Sequence, residues 1–149
     1  MTIWFRAILS GGLLCALLDG VCVSLLYASK GIQPMQVWQT VASSVLGREA
    51  FQRGWMSAGL GLALHCLVAL SAASLFALAF RFAPSVKERY LVAGATFGVL
   101  FFFAMNLIVI PLSAMPKRPF NAQIFVIQIA IHIFLIGLPI AISVRSILE

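Results

Sequence analysis

Four long apolar runs, each closed by a charge or a proline, leave this chain one solvent in which to fold. A helix that crosses a bilayer needs about 20 mostly apolar residues, because the hydrocarbon layer is about 30 Å thick and each residue rises about 1.5 Å. The runs extend from about Phe5 to Tyr27, from about Trp55 to Phe80, from Tyr90 to about Ile110, and from about Ala122 to Val144. Arg6 and Lys30 bracket the first, Arg81 and Pro84 follow the second, Pro111 stops the third, and Arg145 lies beyond the fourth. Trp4, Tyr27, Trp55, Phe82, Tyr90 and Phe120 sit at the ends, where aromatic rings prefer the headgroup level. The expected fold is all-α: an integral membrane four-helix bundle forming a single transmembrane domain over residues 1–149.

Composition excludes the alternatives. Of all residues 62% are hydrophobic and 9% charged, whereas a soluble domain is about half apolar and about a quarter charged. A soluble globular protein, a disordered chain and a nucleic-acid binder are all ruled out. Ten cations against four anions give a net charge of +6, which in short loops points to a lipid-bilayer partner with anionic headgroups. Cys15, Cys22 and Cys66 form no CxxC pair and lie inside apolar runs, so they read as small inert hydrophobes. The first run exceeds the apolar length of a cleaved signal peptide, and Tyr27-Ala28-Ser29-Lys30-Gly31 offers no A-x-A site. It is expected to stay as a helix.

The loops differ in character. Residues 34–46 carry Val37, Trp38, Val41, Val45 and Leu46 at helical spacing, with Gln36, Gln39, Thr40, Ser43 and Ser44 opposite. Pro34 and Gly47 supply start and stop signals. The spacing predicts a short amphipathic interfacial helix that lies flat or caps the bundle. A loop of about residues 81–89 is basic, and one of about residues 111–120 holds Pro111, Pro116 and Pro119 around Lys117 and Arg118, so it is stiff and non-helical. Cations near the helix ends divide five against five. The dense second loop tips the expectation towards both termini being cytoplasmic.

The informative residues interrupt the apolar runs. They are Asp19 in the first helix, His65 in the second, Asn106 in the third, and Gln128 with His132 in the fourth. A carboxylate at a helix centre costs about 2.5–3.5 kcal/mol on insertion scales, so Asp19 should not face lipid. At about 1.5 Å per residue, Asp19 lies about 12 Å from Tyr27, His65 about 15 Å from Trp55, Asn106 about 6–9 Å from its end, and His132 about 15 Å from Ala122. All fall in one half of the bilayer. Around the wheel Asp19 shares a side with Gly12, Cys15 and Cys22, and His65 with Gly61, Ala69 and Ala72; Asn121, Phe125, Gln128, His132 and Pro139 line up on the fourth helix. Small residues mark close helix contacts in membranes, so these faces predict a shared buried polar cluster.

Three functions compete for it. In a structural or accessory component, Asp19 and Asn106 hydrogen-bond the histidines and fix helix register. In a small proton- or ion-linked transporter working as an oligomer, Asp19 and the histidines exchange protons. In a ligand-binding protein, His65 and His132 hold a haem iron from two sides, or a metal with Asp19. No motif requires a cofactor, and no nucleophile–histidine–acid set, Walker loop, dinucleotide fingerprint or HExxH occurs, so the chain reads as non-enzymatic. Gly94-x-x-x-Gly98 fits a close helix contact within one subunit or in a homo-oligomer, about 80–120° round from Asn106.

Residues 57–145 resemble the YagU-like family of small bacterial inner-membrane proteins. The likeness rests on His65 midway along a helix, a basic loop, a small-residue-rich helix ending at Met105-Asn106, the turn Pro111-Leu112-Ser113-Ala114 with Pro116, and a helix with central His132 and basic Arg145. The chain departs from the family at Asn106, where a histidine lies nearby, and in its long first loop. The resemblance implies a bacterial cytoplasmic-membrane protein and carries no assigned biochemistry.

Overall fold

A computed structural model describes residues 2–117 and 119–149; Arg118, expected in the proline-rich loop, lies outside them. Among the described residues six helical stretches follow in order: α1 (Ile3–Ala28), α2 (Pro34–Leu46), α3 (Gly54–Phe82), α4 (Pro84–Glu88), α5 (Tyr90–Leu112) and α6 (Ala122–Leu148). A 3-10 turn, Gly47–Gln52, joins α2 to α3. Four of them, α1, α3, α5 and α6, are long and apolar enough to cross a membrane, and no strand occurs among the described residues. The chain is a multi-pass membrane protein with an all-α four-helix bundle.

Each span runs slightly further than the sequence predicts. Thr2 extends the start of α1 by accepting a hydrogen bond from Phe5 N at 3.4 Å, which satisfies one of the donors a helix start leaves open. Pro111 falls one residue before the end of α5. The helix widens first into a π turn, Met105–Val109, in which Ile110 N bonds Met105 O, and continues to Leu112. The same device recurs in α6, where the π turn His132–Gly137 comes just before Pro139. Proline lacks an N–H and its ring crowds the preceding turn; a π turn before it loosens that crowding and keeps the helix going.

Packing follows the small residues. Cys15 and Ala16 of α1, Ala72 and Phe76 of α3, and Ile140 and Val144 of α6 lie in one buried cluster, so α1, α3 and α6 form the centre. The Cα of Gly12 faces Leu70 so closely that an added Cβ would lie 2.7 Å from Leu70 Cδ2. α5 packs chiefly on α6. There Gly94 and Gly98 face Gly137 and His132: a Cβ on Gly98 would overlap His132 O, and one on Gly137 would overlap Gly94 O. The GxxxG pair therefore serves a contact within the subunit.

α2 packs on the bundle, chiefly against α3. It docks on α3 with its backbone against Gly61, where a Cβ would overlap Trp38 O and lie 2.7 Å from Trp38 C. Its buried residues are Val37, Gln39, Ala42 and Ser43, while Val45 is 60% exposed. The expected apolar stripe is thus turned partly outward. Polar side chains take the inner side because backbone acceptors wait there: Gln39 Nε2 donates to Gly54 O at 3.1 Å, and Ser43 Oγ to Thr40 O at 2.7 Å. Ala114 N donates to Ser44 O at 2.9 Å, tying the proline-rich loop to α2.

Candidate functional site

Asp19 and His65 meet across α1 and α3. His65 Nε2 stands 3.8 Å from Asp19 Oδ2 and 3.0 Å from Ala16 O, one turn earlier on α1. A carbonyl oxygen only accepts, so the hydrogen bond to Ala16 places a proton on Nε2. The carboxylate, 3.8 Å from the same nitrogen, is too far away for a hydrogen bond of its own. The side chains are only 14% exposed for Asp19 and 16% for His65. Asp19 Oδ1 is buried and has no hydrogen-bond partner among the described residues.

Trp38 seals one side of the pair. Its ring meets the His65 imidazole edge-on, with centroids 5.3 Å apart. Gly20, the residue after Asp19, makes the room: a Cβ there would lie 2.9 Å from Trp38 Cη2 and 3.5 Å from His65 Nε2. Gly20 is eight residues from the end of α1 at Ala28, or about 12 Å along the axis, so α2 delivers an indole deep beside the bilayer interior. An apolar groove of about 360 Å³ opens alongside, lined by Leu13, Ala16, Leu17, Gly20, Trp38 and Cys66 among others, but not by Asp19 or His65.

His132 makes its hydrogen bond locally. Its Nδ1 donates to Gln128 O at 2.9 Å, one turn back on α6. Phe102 meets its ring edge-on at 5.2 Å between centroids, and Phe101 lies at 6.5 Å. Gln128 therefore contributes a main-chain carbonyl rather than its amide. Asn106 is exposed and donates from Nδ2 to Phe102 O at 2.9 Å on its own helix. The expectation that Asn106 bonds a histidine is corrected: both imidazoles turn to backbone carbonyls, and α5 directs its glycines inward instead. Holding a haem between His65 and His132 would require His65 Nε2 to leave Ala16 O, or Nδ1 to take its place. No group of three or more His, Cys, Asp and Glu side chains poised to hold a metal ion occurs among the described residues.

Sequence reasoning found Asp19 and His65 but missed Trp38, Gly20 and the Ala16 carbonyl. The available signal was an aromatic residue on a non-spanning amphipathic segment, together with a glycine directly after the intramembrane acid. Cys15 donates to Gly12 O at 3.3 Å and belongs to the packing around the pair. Comparison of the chain with models of protein families, with curated proteins and with solved structures finds no match.

Proposed function

We propose that this multi-pass protein handles protons or small cations at an intramembrane Asp19–His65 couple, as part of a small proton- or ion-linked transport system. The observation that carries the reading is the unpaired Asp19 Oδ1. A helix brace gains from a buried polar network only when every member is satisfied; a half-satisfied one is costly. Here one carboxylate oxygen lacks a hydrogen bond and the other stands 3.8 Å from the imidazole. A group left open in this way in a low-dielectric setting is suited to accept a proton or cation from outside the chain. His65 Nε2 lies 3.0 Å from Ala16 O and 3.8 Å from Asp19 Oδ2, so a shift of the imidazole exchanges one acceptor for the other.

A second reading, a structural brace, is favoured by the His65–Ala16 hydrogen bond, which joins α1 to α3 whatever Asp19 does. Proteoliposomes holding a pH-sensitive dye separate the two. After a pH jump, the wild-type protein should collapse the gradient faster than empty vesicles, and Asp19→Asn should remove that excess while melting within a few degrees of wild type. Unchanged gradient decay with a lowered melting temperature in Asp19→Asn would leave only the brace.

A further inference from the structure

The outer side of α5 carries a polar group that lipid tails cannot satisfy. α5 is the least covered span, with 11% of its most apolar window buried against 28%, 28% and 33% for the others. Asn106 is exposed on it, six residues before Leu112 and so about 9 Å from that end. A 23-residue span is only slightly longer than the hydrocarbon layer of about 30 Å, which leaves the amide inside the hydrocarbon. One Nδ2–H is used on Phe102 O; the second N–H and Oδ1 have no partner among the described residues. Nearby, Pro111 offers no N–H to the carbonyl of Leu107, a residue 70% exposed on the same span.

We propose that this face binds a second copy of the chain, through a two-fold pairing of Asn106 with its own equivalent. A carboxamide is both donor and acceptor and is therefore its own complement. Across a two-fold axis, the free N–H of each copy meets Oδ1 of the other, in the isologous arrangement common to homodimers. Such side-chain amides drive helix association in lipid, where leaving them unmet is the alternative. Leu100, Phe103 and Leu107, exposed by 61%, 37% and 70%, supply apolar surface around the pair. The other association motif of this helix is already occupied, since Gly94 and Gly98 pack on α6 of the same subunit. The dimer does not depend on any proton or ion traffic at Asp19, and its test reads association alone.

The test uses the full-length protein in liposomes at varied protein-to-lipid ratio, labelled for energy transfer. Wild type should dimerise as density rises, and Asn106→Leu should weaken the association constant about tenfold, equivalent to about 1.4 kcal/mol. Asn106→Gln, which keeps the amide, should retain most of it. In a background lacking the native cysteines, Leu107→Cys should crosslink between copies faster than Leu75→Cys, which lies on the exposed side of α3. Because Asn106 is exposed, unchanged helicity and melting of Asn106→Leu will show that folding is intact. A protein that stays monomeric at every density, an Asn106→Leu variant that associates like wild type, or equal crosslinking at Leu107 and Leu75 would each overturn the proposal.

Discussion

Gly61→Ala adds one methyl group where α2 and α3 touch backbone to backbone. The new Cβ would overlap Trp38 O, lie 2.7 Å from Trp38 C and 3.1 Å from Ala42 N. Ordinary contact begins at 3.4 Å, so going from 2.7 to 3.4 Å moves α2 outward by at least about 0.7 Å, and by more at the overlapped oxygen. The obstacle is main chain, which cannot rotate away as a side chain could. Overpacking of this sort costs about 1–3 kcal/mol. Weakening the edge-on Trp38–His65 contact adds about 0.5–1.5 kcal/mol, and the gain in helix propensity returns about 1 kcal/mol. The net expectation is a loss of about 0.5–3.5 kcal/mol, with Trp38 shifted away from His65. The internal control is Gly59→Ala on the same helix, where a Cβ meets nothing within 4 Å; it should be neutral or slightly stabilising. Denaturation in detergent micelles gives the stabilities, and Trp38 emission in a background lacking Trp4 and Trp55 reports its surroundings. If Gly61→Ala matches Gly59→Ala in stability and leaves the Trp38 emission unchanged, the close docking of α2 on α3 is refuted.

Three further outcomes follow from the same geometry. Gly98→Ala would overlap His132 O and lie 2.8 Å from His132 C, so it should lower stability by about 1–3 kcal/mol while leaving dimerisation in liposomes as in wild type. Arg145→Ala removes a 2.9 Å hydrogen bond to Lys87 O and a cation–π contact 4.7 Å from the Tyr90 ring, so amide hydrogen exchange over residues 84–89 should speed up, with α3 unaffected. Trp38→Leu takes away the ring that covers His65, and should raise solvent exchange at the His65 imidazole, read by NMR, more than Trp55→Leu does; Trp55 is 78% exposed and touches nothing in the site.

The spans were legible because length and hydropathy are local properties, and a bilayer imposes them on each helix separately. Asp19 and His65 were legible as neighbours for a related reason: the helices run in opposite directions, so residue counts from their ends give comparable depths. Their immediate partners were not, because Ala16 acts through a main-chain carbonyl and Trp38 arrives on a segment whose position no spacing rule sets. The packing of α2 is not set by its amphipathic spacing. Gln39 and Ser43 instead turn inward to backbone oxygens, a use that hydrophobic periodicity cannot register. Equal depth does not put Asn106 on the side of the other polar residues. Gly94 and Gly98 define the inward side of α5 by their contact with α6, and Asn106 lies away from it around the helix. Pro111 marks the end of α5 to within two residues, because the helix closes at Leu112 directly after it.

The most direct measurement is pH-titrated infrared difference spectroscopy of the protein in lipid, comparing wild type with Asp19→Asn. The Asp19–His65 couple predicts a carboxyl stretch that appears and disappears with pH, is absent from Asp19→Asn, and shifts in His65→Gln. A difference spectrum identical in wild type and Asp19→Asn, throughout the pH range where both remain folded, would mean that the carboxyl never exchanges its proton and that the couple does no more than hold two helices together.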